Sequence, residues 1–253
     1  MSLLDQMAWV ERLVRRPDEL AAARAVAGAD GEVLRTVDAE RLAAVHETFA
    51  ELVVGRWWAP GFPASLAALR CPRDGPAGVG RRLVREAAFE EAVGEDETGR
   101  ALIGGALDAL EGGRLEGPPW IRELLAYEYL LAVGLPRRAR GQAPDAALEA
   151  RLLPPEAAWL AGAPLATEVL VCPFGWPVAE LAGGELVEAE PDPHDRLLFV
   201  SGGEVLDAAP PPEAADALQL LAGGADEGAV LAALGPDGAA AVAWLREAGA
   251  LPE

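Results

Sequence analysis

The stretch Asp195-Arg196-Leu197-Leu198-Phe199-Val200-Ser201-Gly202-Gly203-Glu204-Val205-Leu206-Asp207 decides how this chain is read. Two short apolar runs flank Gly202-Gly203. A two-residue hairpin loop needs positive φ, which glycine adopts without a Cβ clash, and such a loop matches the twist of its strands. The pairing that follows sets Ser201 opposite Glu204, Val200 opposite Val205 and Phe199 opposite Leu206. Three stretches with helical spacing come next, at 212–221, 226–234 and 236–248. Each opens on Pro or Asp, and the first two close near Gly. A hairpin followed by three small helices is a winged-helix arrangement, and the question it raises is whether the module binds DNA, a peptide or nothing.

Working upstream, strand-like alternation begins at Thr167. Residues 168–174 read as a strand, Gly175 interrupts, and 176–181 resumes. Gly183-Gly184 then turns into 185–190, which Pro191-Asp192-Pro193 ends. Before residue 137 the pattern is helical. Ser2 is placed to cap a first helix. Pro17-Asp18-Glu19 suits the first turn of a second, which Gly28 ends. Asp38 is placed to cap a helix with Leu42, Val45, Phe49, Leu52 and Val53 on its apolar face. Further helices are expected at 80–93 and 97–110, where Gly104-Gly105 suggests close helix contact. A strong one at 120–133 starts after Pro118-Pro119 and stops at Gly134-Leu135-Pro136. The expected fold class is therefore α+β. An all-α domain spans 1–137, a linker 138–165, and a β-hairpin-containing winged-helix-like domain 166–253.

The charge limits what the hairpin module can meet. The chain has 253 residues and a formal net charge of −20. Residues 164–253 hold two basic residues, Arg196 and Arg246, against sixteen acidic ones, a net of −14. Phosphate binding is driven by counterion release from a basic face, so this module carries the wrong sign for nucleic acid. A DNA-binding winged-helix regulator is the rival reading, and charge is its chief difficulty. The first residues carry no basic and apolar signal pattern, and no apolar run reaches the eighteen or so residues of a membrane span. Cys71 and Cys172 are far apart and suggest no disulfide framework. The expectation is a cytoplasmic protein with no membrane partner.

Sites for chemistry are sparse. The chain has no Lys and no Asn, so a Schiff-base lysine is impossible. Ser occurs at 2, 65 and 201, and Ser65 lacks the Gly-x-Ser-x-Gly setting of an exposed nucleophile. His46 and His194 have no second His or Cys at ligand spacing, so no metal or catalytic residue is assigned. A small-molecule enzyme would need one pocket gathering His46, Cys71 or His194. The glycines of 75–80 lack a preceding strand and a Gly-Lys-Ser/Thr ending, which excludes a phosphate loop. The aromatic residues Trp57, Trp58, Trp120, Tyr127, Tyr129 and Trp176 divide between core and interface. Tyr127-Glu128-Tyr129 cannot all face one way on a helix, so one hydroxyl is expected at a surface or a partner.

Several stretches in order carry a resemblance. They are Trp120-Ile121-Arg122-Glu123-Leu124-Leu125-Ala126-Tyr127-Glu128-Tyr129, then Val171-Cys172-Pro173-Phe174-Gly175-Trp176-Pro177-Val178-Ala179-Glu180-Leu181, the hairpin, and Ala243-Trp244-Leu245-Arg246-Glu247-Ala248-Gly249-Ala250-Leu251. Together they resemble the partner proteins of multinuclear non-heme iron-dependent oxidative enzymes (MNIO), which modify ribosomally made peptides. The resemblance implies a helical domain followed by a peptide-recognition element, and a non-catalytic role in a heterodimer. The iron would belong to the oxidase, and this chain would need no cofactor. It would present a precursor peptide, its cysteine above all, for oxidation. An exposed hairpin edge offers unpaired backbone groups to such a peptide. The peptide is expected between the hairpin (Phe199, Val205, Leu206, Asp207) and the last helix (Val242, Leu245, Arg246), with Arg246 meeting a carboxylate of the peptide or simply suiting a helix C-terminus. Trp57, Trp58, Tyr127, Tyr129 and Trp176 are expected at the interface with the oxidase.

Overall fold

The computed structural model describes residues 9–10, 12–25, 34–86, 95–184 and 188–252. The chain is mixed α+β, with one four-stranded antiparallel sheet among the described residues. It separates into two compact units, Met1–Pro118 and Pro119–Glu253. The division falls before the strong helix that begins near Trp120, not at the expected 138–165 linker.

The first unit is helical. Asp38 caps the Ala39–Val53 helix, its Oδ1 accepting from the Glu40 and Arg41 amides at 2.9 and 3.2 Å. The buried stripe runs Leu42, His46, Ala50, Val53, at spacings of four, four and three. The expected apolar face is thus turned: Val45 and Leu52 are 49% and 58% exposed. Polarity hid the true stripe, because the His46 ring is buried with Nδ1 2.7 Å from the Val14 carbonyl oxygen. One π turn, Val54–Trp58, extends this helix. The helices Pro63–Ala68, Val79–Glu86 and Glu95–Glu111 follow. A Cβ added at Gly104 would meet nothing within 4 Å, so close contact does not explain that glycine. The expected caps at Ser2 and Gly28 and the stretch 87–94 lie outside the described residues.

In the second unit the Ile121–Tyr129 helix does not stop at Gly134. A π turn, Leu130–Gly134, links it to Leu135–Ala139, with the Leu135 amide donating to the Leu130 carbonyl five residues back. That wider turn accepts Pro136, which lacks an N–H, in the first turn of the next helix. The expected linker is also structured. It carries a helix, Ala146–Leu152, capped by Asp145, and strand β1, Ala158–Leu160. Arg138 holds it together. Its guanidinium bonds Glu149 at 3.0 Å and Glu168 at 2.7 Å and lies 3.6 Å over the Trp159 ring. Planar stacking and forked donation are what arginine does best.

Strands β2 (Val169–Phe174), β3 (His194–Ser201) and β4 (Glu204–Ala208) complete a sheet of order β1-β2-β3-β4. The β3–β4 register is the expected one, with Gly202 and Gly203 at φ 60° and 87°. The second Gly-Gly hairpin does not form. Residues 178–182 are a helix, Val178–Ala182, with Val178 and Leu181 buried at helical spacing, and 188–190 carry no strand. Pro177 precedes that helix and cannot donate to a ladder, which favours the helical outcome. Residues 185–187 lie outside the described residues.

Alternation divides β2 and β3 between two faces. Val169, Val171, Leu197 and Phe199 join Leu218, Leu221, Val230, Ala241 and Leu245 in one core, from the helices Ala214–Ala222 and Glu227–Glu247. Each fully buried Val, Leu or Phe among them contributes about 1.5–3 kcal/mol. The last helix is two helices joined at Gly235, whose φ 67° and ψ −150° are not helical. Residues 227–247 are long and apolar enough to cross a membrane by length and composition, with mean hydropathy 1.4. The break at Gly235 leaves each half short of the ~20 residues a span needs.

Candidate functional site

Strand β4 is an end strand of the sheet, with β3 its one neighbour among the described residues. Counting outward from a two-residue turn, antiparallel pairs alternate between hydrogen-bonded and non-hydrogen-bonded. Ser201 with Glu204, Phe199 with Leu206 and Leu197 with Ala208 are the bonded pairs. The backbone groups of Val205 and Asp207 therefore point away from β3. These two residues form the open edge. Ala208 ends the strand, and Pro210-Pro211-Pro212 follow.

The two faces of this edge differ in chemistry. Leu206 faces the core and packs against it partly buried, as Trp244 and Ala248 at the end of the last helix also do. That helix ends at the hairpin turn: a Cβ added at Gly249 would lie 3.1 Å from Ser201 Oγ. On the opposite face, Asp207 is bound twice by Arg196, Nε to Oδ1 at 2.8 Å and Nη2 to Oδ2 at 2.5 Å. Tyr127 donates its hydroxyl hydrogen to the same carboxylate and lies edge-on to Phe174, ring centroids 6.0 Å apart. Burial, then the bond to Asp207, push the Tyr127 phenol well above its usual range. Burial is the largest single influence on Arg196 and works against its charge, yet the Asp207 bond together with the charges of Asp207, Tyr127 and Glu180 raises the guanidinium.

The expected site residues fall into distinct groups. Val205, Leu206 and Asp207 are together on the edge. Phe199, Val242 and Leu245 are not: they are buried in the core. At the end of the helix, Trp244 and Ala248 are only partly buried against that core. Arg246 is exposed, but it bonds Glu227 nineteen residues earlier, so it does not stand free for a carboxylate. Among the expected interface aromatics, Trp58 and Tyr129 are each 0% exposed and present nothing to a partner. Trp58 stacks on Phe62 at 4.8 Å. Tyr127 is buried against Asp207, and Trp176 is half-buried. Both tyrosines are buried because the Ile121–Tyr129 helix is covered on nearly every side. The Trp57 side chain lies outside the described residues.

Sequence reasoning missed Glu123. Its Oε2 accepts from the Gly175 and Trp176 amides at 2.8 and 3.1 Å, which fixes the turn after β2. A separation of more than fifty residues leaves no local signal for it. A cavity of about 490 Å³ opens beside that turn, with Glu123, Glu156, Asp195 and Asp216 in its wall.

His46 and Cys71 do line one cavity, of about 280 Å³, in the first unit. Its charges are engaged with one another: Arg81 with Glu47 at 2.6 Å, and Arg85 with Asp18. His194 belongs to the second unit, its Nδ1 2.6 Å from the Asp192 carbonyl oxygen. Cys172 is buried, and burial raises its thiol far above the usual range. Among the described residues no three His, Cys, Asp or Glu are grouped to hold a metal ion. Comparison with protein-family models, with curated proteins and with solved structures gives no match.

Proposed function

We propose that this chain is a non-catalytic recognition partner of an iron-dependent, peptide-modifying oxidase of the MNIO kind, and that its second unit takes an extended ribosomal precursor peptide as an added strand along β4. In this reading the hairpin and the three helical segments after it form a winged-helix-like recognition element. The oxidase supplies the iron, this chain carries no cofactor, and the pair works as a heterodimer in the cytoplasm, without membrane or nucleic acid. The peptide's cysteine is the residue presented for oxidation. The observation that carries the reading is the open edge at Val205 and Asp207, with Leu206 between them turned to the core face. Strand addition draws affinity from main-chain bonds and selectivity from alternate side chains.

Charge disfavours the DNA reading. Both basic residues of 164–253 are bonded to carboxylates, Arg196 to Asp207 and Arg246 to Glu227, so neither is left for a phosphate.

Calorimetric titration with the leader segment of a co-encoded precursor tests the reading, alone and with the co-encoded oxidase. Binding by the native chain and its loss in Val205→Pro are the expected result. Proline there removes an outward N–H and spares the β3 ladder. Absence of binding under both conditions rejects the proposal, and salt-sensitive binding to duplex DNA instead would establish the rival.

A further inference from the structure

We infer that the peptide received along β4 is cationic, with lysine or arginine side chains lying beside the strand; this deepens the strand-addition reading and rests on it. The argument starts from which charges are already used. Arg196 and Arg246 are the only basic residues of 164–253, against sixteen acidic ones. Each is bonded to a carboxylate of the same unit. Nothing cationic in this part of the chain is left to receive an acidic peptide.

The exposed carboxylates are placed at the edge. Glu204 opens β4 at the turn and is exposed. Gly249 abuts Ser201, the cross-strand partner of Glu204, so Glu247, exposed two residues before Gly249, belongs to the same end. Glu180, exposed on the Val178–Ala182 helix, lies close enough to Tyr127 and Arg196 to add its field there, on the Asp207 face. Among the described residues none of these three carboxylates forms an ion pair with this chain. An incoming strand therefore meets negative potential on both of its faces. Like charges juxtaposed at a contact are strongly disfavoured, whereas opposite charges steer the encounter and fix register. The apolar contribution of Leu206 is indifferent to sign, so charge decides between peptides of similar shape.

A library of random short peptides, displayed and selected on the immobilised full chain and counter-selected on Val205→Pro, tests this. Circular dichroism first establishes that the variant is folded. The expected outcome is a pool that depends on Val205 and is rich in Lys and Arg. A resynthesised member should bind at least about tenfold more weakly when its basic residues become Gln, and as much more weakly in high salt. A Val205-dependent pool that is neutral or acidic overturns the charge inference and leaves strand addition standing. A basic pool indifferent to Val205 reports bulk charge alone and overturns both. The combined variant Glu180→Gln, Glu204→Gln, Glu247→Gln changes only exposed side chains. It should lower affinity for a basic member about tenfold, and unchanged affinity would sink the inference even if Val205→Pro fails to fold.

Discussion

The Tyr127 hydroxyl donates to the Asp207 carboxylate across eighty residues of sequence, joining the first helix of the second unit to the open edge of its sheet. Arg196 holds the other side of that carboxylate. Tyr127→Phe keeps the ring against Phe174 and removes one bond to a charged group. The expected cost is about 1.5–3 kcal/mol in urea unfolding. Asp207→Ala should cost more, about 3–5 kcal/mol, because it strands a largely buried guanidinium. Equal costs for the two variants would show that the tyrosine, not the ion pair, dominates.

The raised Tyr127 phenol predicts alkaline sensitivity. The folded chain holds this proton more tightly than the unfolded chain, where tyrosine titrates near pH ~10. Its contribution to stability is therefore complete below about pH 10 and declines as pH rises above that value. Unfolding midpoints taken across the alkaline range should fall in the native chain and fall less steeply in Tyr127→Phe. Identical slopes would remove Tyr127 as the cause.

Amide hydrogen exchange reads the edge directly. The Val205 and Asp207 amides should exchange faster than those of Leu206 and Ala208, which donate into β3. Addition of a bound peptide strand should slow the first pair selectively. Uniform protection along β4 would mean that another segment already covers it.

Gly235 sits in a backbone region that side chains avoid, and an added Cβ there would otherwise meet open space. Gly235→Ala should cost about 1–3 kcal/mol from backbone strain alone. Gly238→Ala is destabilising for a different reason, since its Cβ would fall 2.8 Å from that of Leu234. Thermal midpoints of the two variants should both fall, and Leu234→Ala, which keeps the Cβ that Gly238→Ala would meet, should relieve neither.

The hairpin was legible because a two-residue glycine turn between two short apolar runs fixes register without outside help. The cap at Asp38 was legible for the same local reason. Long-range partners were not. Glu123 bonding the Gly175 and Trp176 amides, Arg138 gathering Glu149, Glu168 and Trp159, and Arg246 meeting Glu227 leave no periodic trace. The π turn before Pro136 misled in the other direction, since proline usually ends a helix and here a wider turn absorbs it. Among the residues expected at a peptide, Phe199, Val242 and Leu245 lie in the core, because an apolar residue on a strand or helix carries no local sign of whether it lines a groove or fills the interior.

Pro210-Pro211-Pro212 set a length to all this. Beyond Ala208 three consecutive residues lack an N–H, so the edge cannot be extended by borrowing more of its own chain. At about 3.4 Å per residue, the five residues of β4 measure out an edge of roughly 17 Å. Copies of the protein are thereby denied a long strand on which to stack, which discourages fibril growth.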